Sequence, residues 1–387
     1  MHRRQAPPGQ GFPQPVPGTA EPARARRRLL RALPAGLMTG GAFTTVSGAP
    51  PQTIRGVGSS FPRDLYLRWA RIYGRDQGVS IEYTPVGTTA GIRLITEGAA
   101  DFAASNRPLT DKALEEGQLL QFPVIMGATV PVVNVPGIAA GDLCLDGALL
   151  AEIFLGRIGR WNDPEIRRLN PSIRLPAAPI AVARRGDPSG TTYLLSDYLA
   201  KSSSPWKGML DGPGGLPANW KTGHAAIGTT GLEELFLRLP NSIAYFDYAY
   251  ARRRRLNHVR LRNRAGIAVE PGMRSLQAAA LSFRWTGGMG NVTTDAGHPD
   301  AWPLASPSYV IVRRSYRTAD QAANALQALA FFEWACAHGD QIADDMDFVP
   351  MPNAVKDEVL AALATRIGAD ASVRPEGRGG SSARPRG

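Results

Sequence analysis

Three observations predict an α/β fold for this 387-residue chain. From Ile54 to about Thr365, apolar runs of strand length alternate with stretches of helical periodicity. The hydrophobic content of 43% and charged content of 20% are those of a globular protein large enough for two or three domains. No run of about 18 apolar residues occurs, so nothing reads as a membrane span. Alternation of this kind covers both faces of a sheet with helices.

Taken in order, SIEYTPVG (80–87), ADFAAS (100–105), PVVNV (131–135), PIAVARR (179–185), SIAYFDY (242–248) and SYVIVRR (308–314) read as strands. The first helix is DLYLRWARIYG, where Leu65, Trp69, Ile72 and Tyr73 share one face at i, i+4, i+7 and i+8. GIRLITEG, GALLAEIFLG, TTYLLSDYLAK, GLEELFLRLP and ANALQALAFFEWACAHG supply the others. No segment recurs at a fixed period. Cys144 and Cys336 sit in apolar runs far apart and read as two buried free thiols.

The formal charge of +11 invites a nucleic-acid reading until it is located. Residues 1–50 hold seven Arg and one Glu, and residues 366–387 hold five Arg, one Asp and one Glu, which leaves only +2 between. A nearly neutral folded part gives nucleic acid little to bind. Residues 1–51 read as a disordered basic leader carrying an export signal: ARARRRLL, then a modest apolar stretch to about Val46, then small residues at 47–49. Arg26-Arg27-Arg28-Leu29-Leu30 has the look of a twin-arginine export pattern. The tail 366–387 reads as disordered. The run Arg252–Arg255 reads as a solvated basic face, or as a docking patch for an acidic partner or an anionic membrane.

Three helix starts share one chemistry. GVGSSFP (56–62), VGTTAG (86–91) and DPSGTTY (187–193) each set glycines and hydroxyls ahead of a helix. Glycine lets backbone approach a ligand, and a helix N-terminus offers unpaired N–H groups at the positive end of its dipole. One such start is an ordinary cap. Three in one α/β chain, with Arg185 beside the third, suit a buried tetrahedral oxyanion, which needs nearly every oxygen hydrogen-bonded. Asp187 either braces Arg185 or caps the helix that follows.

Over residues 54–365 the chain resembles the periplasmic phosphate-binding proteins of phosphate ABC transporters. GVGSSFP, ADFAASNRPLT, LLQFPVIMGATVPVVNVPG, LDGALLAEIFLGRIGRWNDPEIRRLNP, ARRGDPSGTTYLLSDYLAK, LPNSIAYFDYAYA and DAWPLASPSYVIV carry the likeness. The resemblance implies a two-lobed, type II periplasmic-binding-protein fold closing on one inorganic phosphate. Lobe I would be 53–128 with a return over 303–365, and lobe II 129–302. It implies a phosphate-binding set of Ser60, Phe61, Thr88, Asn106, Arg185, Ser189, Gly190 and Thr191, with Asp187 supporting Arg185. It also implies an exported monomer that hands its ligand to membrane permease subunits, with no metal, cofactor or catalysis. At Asn106 the family usually has a carboxylate, which accepts the proton of hydrogen phosphate and repels proton-free sulfate. The departure implies weaker rejection of sulfate and a shallower pH dependence.

Alternatives remain open at this point: a receptor for sulfate or arsenate, a phosphate sensor without transport, or a phosphate-ester hydrolase. Against the last, the five histidines (His2, His224, His258, His298 and His338) are scattered singly, and Ser189 has no evident base.

Overall fold

A computed structural model describes residues 53–212, 215–285, 288 and 294–370. The expected export leader therefore lies outside the described residues. The first elements are β1 (Thr53–Gly58), α1 (Arg63–Gln77), β2 (Ser80–Thr84), α2 (Thr88–Thr96), β3 (Phe102–Ser105) and α3 (Asp111–Glu116). The long β4 (Leu119–Asn134) leads to β5 (Cys144–Asp146), α4 (Gly147–Phe154), α5 (Pro164–Leu169), β6 (Ala181–Arg185), α6 (Gly190–Ser202) and α7 (Ser204–Lys207). Next come β7 (His224–Ala226), α8 (Gly228–Arg238), β8 (Ser242–Asp247), α9 (Tyr248–Arg253), β9 (Arg260–Arg262), β10 (Ala268–Val269) and α10 (Met273–Ala280). The chain closes with β11 (Ala305–Arg313), α11 (Ala319–His338), α12 (Asp340–Asp344), β12 (Val349–Pro350) and α13 (Asn353–Asp370). That last helix runs past Thr365, where composition ends the folded part, so residues 366–370 are helical and not tail.

The main sheet runs β2-β1-β3-β11-β4-β8-β6-β7, with β12 also on β4. β1 is parallel to β2 and β3, and β6 is parallel to β7 and β8. Between these two parallel sets, β11 and β4 run antiparallel to their neighbours. β4 changes partner half-way: Leu119–Ala128 pair with β11, and Thr129–Asn134 pair with β8. Its sequence, LLQFPVIMGATVPVVN, is nearly continuous apolar, and all but Asn134 is buried. Pro123 cannot donate to a ladder, yet it is tolerated here because the register with β11 slips between Ser308 and Tyr309, beside it. A smaller sheet, β10-β9-β5, lies apart.

Six strands expected from the sequence are present, but the one expected at PVVNV begins twelve residues earlier, at Leu119. α1 buries Leu65, Trp69 and Tyr73 as expected, while Ile72 is only half-buried and Tyr66 takes its place. Tyr66 stacks on Trp69 at 5.8 Å and meets Tyr83 and Phe332 edge-on at 5.4 Å each. A second aromatic cluster joins Phe154, Trp206, Trp220 and Tyr245 under β8 and α6. Such contacts add about 0.5–1.5 kcal/mol each beyond area burial. Cys144 and Cys336 are both free and buried. No described helix is long and apolar enough to cross a membrane.

Candidate functional site

The carboxyl ends of the parallel strands deliver the residues that the sequence singled out. β1 ends at Gly58 and leads to Ser59-Ser60-Phe61; β3 ends at Ser105 and leads to Asn106; β6 ends at Arg185 itself. Open α/β sheets place ligand crevices at such ends. Gly58 makes the turn. Its φ is +124°, and a Cβ there would lie 2.3 Å from the Ala104 carbonyl oxygen, so no other residue keeps β1 this close to β3.

Capping explains one of the three helix starts and fails for two. Ser189 is the N-cap of α6, and its Oγ accepts the Thr191 N–H at 3.2 Å. The N-caps of α1 and α2 are Pro62 and Gly87, which make no side-chain cap bond. Ser59 Oγ instead accepts the Phe61 N–H at 3.2 Å and donates to Asn106 Oδ1 at 2.6 Å. That fixes the amide: Asn106 turns Nδ2, a donor, away from Ser59. Nδ2 is buried without a partner among the described residues, and so is Thr88 Oγ1. A Cβ on Gly190 would stand 3.0 Å from Thr88 Oγ1 and 2.8 Å from the Asn106 Cβ. Two side chains with unsatisfied buried groups thus approach the first residue of α6. Each costs about 1–3 kcal/mol unless something accepts from it.

Of the arginine pair, Arg184 turns away, its guanidinium 5.2 Å over the Trp220 ring and its Nε on the Thr222 carbonyl at 3.0 Å. Arg185 is buried, and its main-chain N–H donates to the Tyr245 hydroxyl at 3.1 Å. Its side chain forks onto Asp187: Nε to Oδ1 at 2.7 Å and Nη2 to Oδ2. Asp187 therefore braces Arg185 and does not cap α6. Burial would raise the Asp187 carboxyl, but the Arg185 fork and the Gly228 N–H at 3.0 Å outweigh it and hold the group below the usual carboxylate range. The carboxylate stays ionised and Arg185 stays aimed.

A fourth helix start completes the cluster. Gly228-Thr229-Thr230-Gly231 opens α8, repeating the glycine-and-hydroxyl pattern of VGTTAG. Thr229 Oγ1 lies 3.2 Å from Ser60 Oγ and accepts from Arg185 Nη1 at 3.4 Å. Ser59, Thr229 and Gly228 are site residues that the sequence reading missed. Of the eight expected residues, Asn106 and Thr88 approach Gly190 between Ser189 and Thr191, Asn106 also takes the Ser59 hydroxyl that engages Phe61, and Ser60 reaches Arg185 through Thr229. A cavity of about 360 Å³ opens outward from Ser60, Arg185 and Asp187 to Asp64, Ile227, Tyr250 and Arg253.

The arginine run is exposed, as a solvated face should be, but three of its four arginines are paired with carboxylates. Arg252 pairs with Asp347 at 3.4 Å, Arg253 with Asp64 at 2.8 Å and Arg254 with Glu233 at 2.5 Å. Among the described residues no three His, Cys, Asp or Glu side chains are grouped to hold a metal ion. His258 pairs with Glu270, and His338 contacts the Trp334 carbonyl oxygen.

A profile of the PBP superfamily domain matches residues 44–337. The phosphate-binding protein PstS of Haemophilus influenzae is 37% identical over 325 residues, covering 84% of this chain and 96% of that protein. The chain belongs to the phosphate-binding protein PstS family. The PstS of Pasteurella multocida is 38% identical over 318 residues, covering 82% of this chain and 91% of the relative. Among solved structures, a high-affinity periplasmic phosphate-binding protein determined with phosphate at pH 8.5 superposes with a TM-score of 0.59 at 21% identity, over 80% of this chain and 93% of the other. The phosphate-binding protein of Stenotrophomonas maltophilia gives a TM-score of 0.57 at 20% identity over the same shares. These likenesses establish for this PstS-family chain the two-lobed α/β fold expected from its sequence.

Proposed function

We propose that this protein is an extracytoplasmic receptor that binds inorganic phosphate between its two lobes and hands it to a membrane ABC permease. One observation carries the reading above all: Thr88 Oγ1 and Asn106 Nδ2 are buried and unpartnered among the described residues, and their side chains approach Gly190 at the α6 start, five residues on from a carboxylate-braced arginine. A tetrahedral oxyanion answers that need. It accepts from the hydroxyls of Ser60, Thr88, Ser189 and Thr191, from Asn106 Nδ2, from the Gly190 backbone and from Arg185. Phe61 contributes by position, since its N–H is engaged by Ser59.

The change of partner along β4 supports a division into lobes at this point. Residues 53–128 with the return over 303–365 would form one lobe and 129–302 the other, the chain crossing at Ala128–Thr129 and again near Trp302. Arg185, Ser189, Gly190 and Thr191 belong to the second lobe; Ser60, Thr88 and Asn106 belong to the first. Contact with both gives the ligand a higher affinity for the closed form, which is what drives closure. Like its relatives, named as phosphate-binding proteins, it would work by binding and release, as a monomer.

Phosphate has five heavy atoms, and a ceiling of about 1.5 kcal/mol per atom for very small ligands gives roughly 7.5 kcal/mol, a low-micromolar Kd. Calorimetric titration of phosphate into the full chain, refolded from denaturant to strip carried-over anion, tests the reading. Micromolar or tighter binding is expected. Binding weaker than millimolar would sink it.

A further inference from the structure

The run Arg252–Arg255 stands out in the sequence, and phosphate recognition does not use it. Its pairing in the structure assigns it another task. α9 follows β8 and is tied to α8: Arg254 and the Tyr250 hydroxyl both bond to the buried Glu233 of α8, at 2.5 and 2.6 Å. α8 and α9 therefore move as one piece of the second lobe, carrying Thr229 with them. From that piece two arginines reach the other lobe. Arg253 Nη2 meets Asp64 Oδ2 at 2.8 Å, at the start of α1 and four residues from Ser60. Arg252 Nε meets Asp347, next to β12, at 3.4 Å.

Asp64 and Arg253, both partly exposed, also line the cavity that the more deeply buried Arg185 and Asp187 line. We propose that the Asp64–Arg253 ion pair is a gate across the mouth of the cleft: it latches the closed lobes and must part before the anion leaves. This rests on the two-lobe receptor reading above. The pair lies outside the anion's own ligand set, so it governs exchange and not recognition. Both side chains are about 40% exposed, so water competes for them and the latch is weak enough to open.

The test is the release of radiolabelled phosphate into excess unlabelled phosphate, for the unchanged chain, Arg253→Ala, Asp64→Asn and the exchanged pair Asp64→Arg with Arg253→Asp. Each single change should speed release about three- to fivefold, the range open to an exposed ion pair, with association unchanged within about twofold. The exchanged pair should restore slow release, which a merely structural role would not do. Unchanged release in the single variants would overturn the gate; so would faster release that the exchange fails to reverse. A second measurement needs no ligand. Spin labels at Gln77→Cys and Lys207→Cys, with both native cysteines buried, report the distance between lobes. Arg253→Ala should deplete the short-distance population, and no change would overturn the gate. If phosphate fails to bind at all, the receptor reading falls while the distance measurement still decides the gate.

Discussion

Replacing Asn106 by aspartate tests how the cleft selects its anion. In the structure Oδ1 of Asn106 accepts from the Ser59 hydroxyl at 2.6 Å, while Ser59 Oγ accepts the Phe61 N–H. Nδ2 is left as a buried donor. A carboxylate in its place would keep the Ser59 bond through one oxygen and present the other, an acceptor, where the donor was. A bound sulfate then loses a hydrogen bond of about 1.5–3 kcal/mol and gains a buried like charge in contact. The sum is at least about 3 kcal/mol, or more than a hundredfold in affinity. Hydrogen phosphate can turn its own O–H to the new carboxylate, so its affinity should change by less than about tenfold. Calorimetric phosphate titrations with and without a thousandfold excess of sulfate, at two pH values, compare the two proteins. Sulfate should weaken phosphate binding clearly for the unchanged chain and scarcely for Asn106→Asp. The variant should also show the steeper pH dependence. If the unchanged chain ignores the sulfate, the donor-facing amide does not set selectivity.

Other perturbations probe the frame around the anion. Arg185→Lys removes the fork onto Asp187 and should weaken phosphate about a hundredfold by calorimetry, since an ammonium cannot hold both carboxylate oxygens while facing a ligand. Gly190→Ala puts a methyl 2.8 Å from the Asn106 Cβ and 3.0 Å from Thr88 Oγ1; it should cost about 1–3 kcal/mol of closure, seen as about a fivefold or greater loss of affinity with the melting temperature nearly unchanged. Burial pushes the Asp247 carboxyl up to about 6 despite the bond from the Tyr250 N–H. A raised carboxylate favours the fold below its unfolded value, near 4, and loses that contribution as pH rises through 6. Asp247→Asn keeps the cap on α9, so urea unfolding should find it about 2 kcal/mol more stable at pH 7 and equal at pH 4.

Much of the site could be read from the chain because its chemistry is local. A helix start, its glycines and its hydroxyls are contiguous, and GVGSSFP, VGTTAG and DPSGTTY needed no knowledge of the fold. What tertiary structure decides was illegible. Asp187 could have capped α6 or braced Arg185, and only the folded geometry settles it: its carboxylate takes the Arg185 fork and Ser189 takes the cap. GTTG at 228–231 carries the same local signal as VGTTAG and could have been found. Ser59 looked like a cap, and its bond to Asn106 depends on how β1 and β3 pair. The first half of β4 was hidden because continuous burial erases alternation and Pro123 argues against a central strand. The partners of the exposed arginine run were illegible for a related reason: Asp64, Glu233 and Asp347 are scattered along the chain, and charge patterning sees only neighbours.

The place of β11 between β3 and β4 has a consequence for how the molecule is made. β3 and β4 leave the ribosome early, with open edges on the sides where β11 will lie, and Ala305–Arg313 follows only after the whole second lobe. At a synthesis rate of ~5–20 residues per second the wait is roughly 10–40 s. Throughout it, the strands that carry Ser59, Ser60 and Asn106 are not yet held against β4, and unpaired strand edges are templates for pairing with other chains. Long-range pairing of this kind also folds slowly. A chain truncated between Ser202 and Ala305 thus keeps Arg185, Asp187 and the α6 start but has no fixed surface to close them against, and it presents two edges for aggregation.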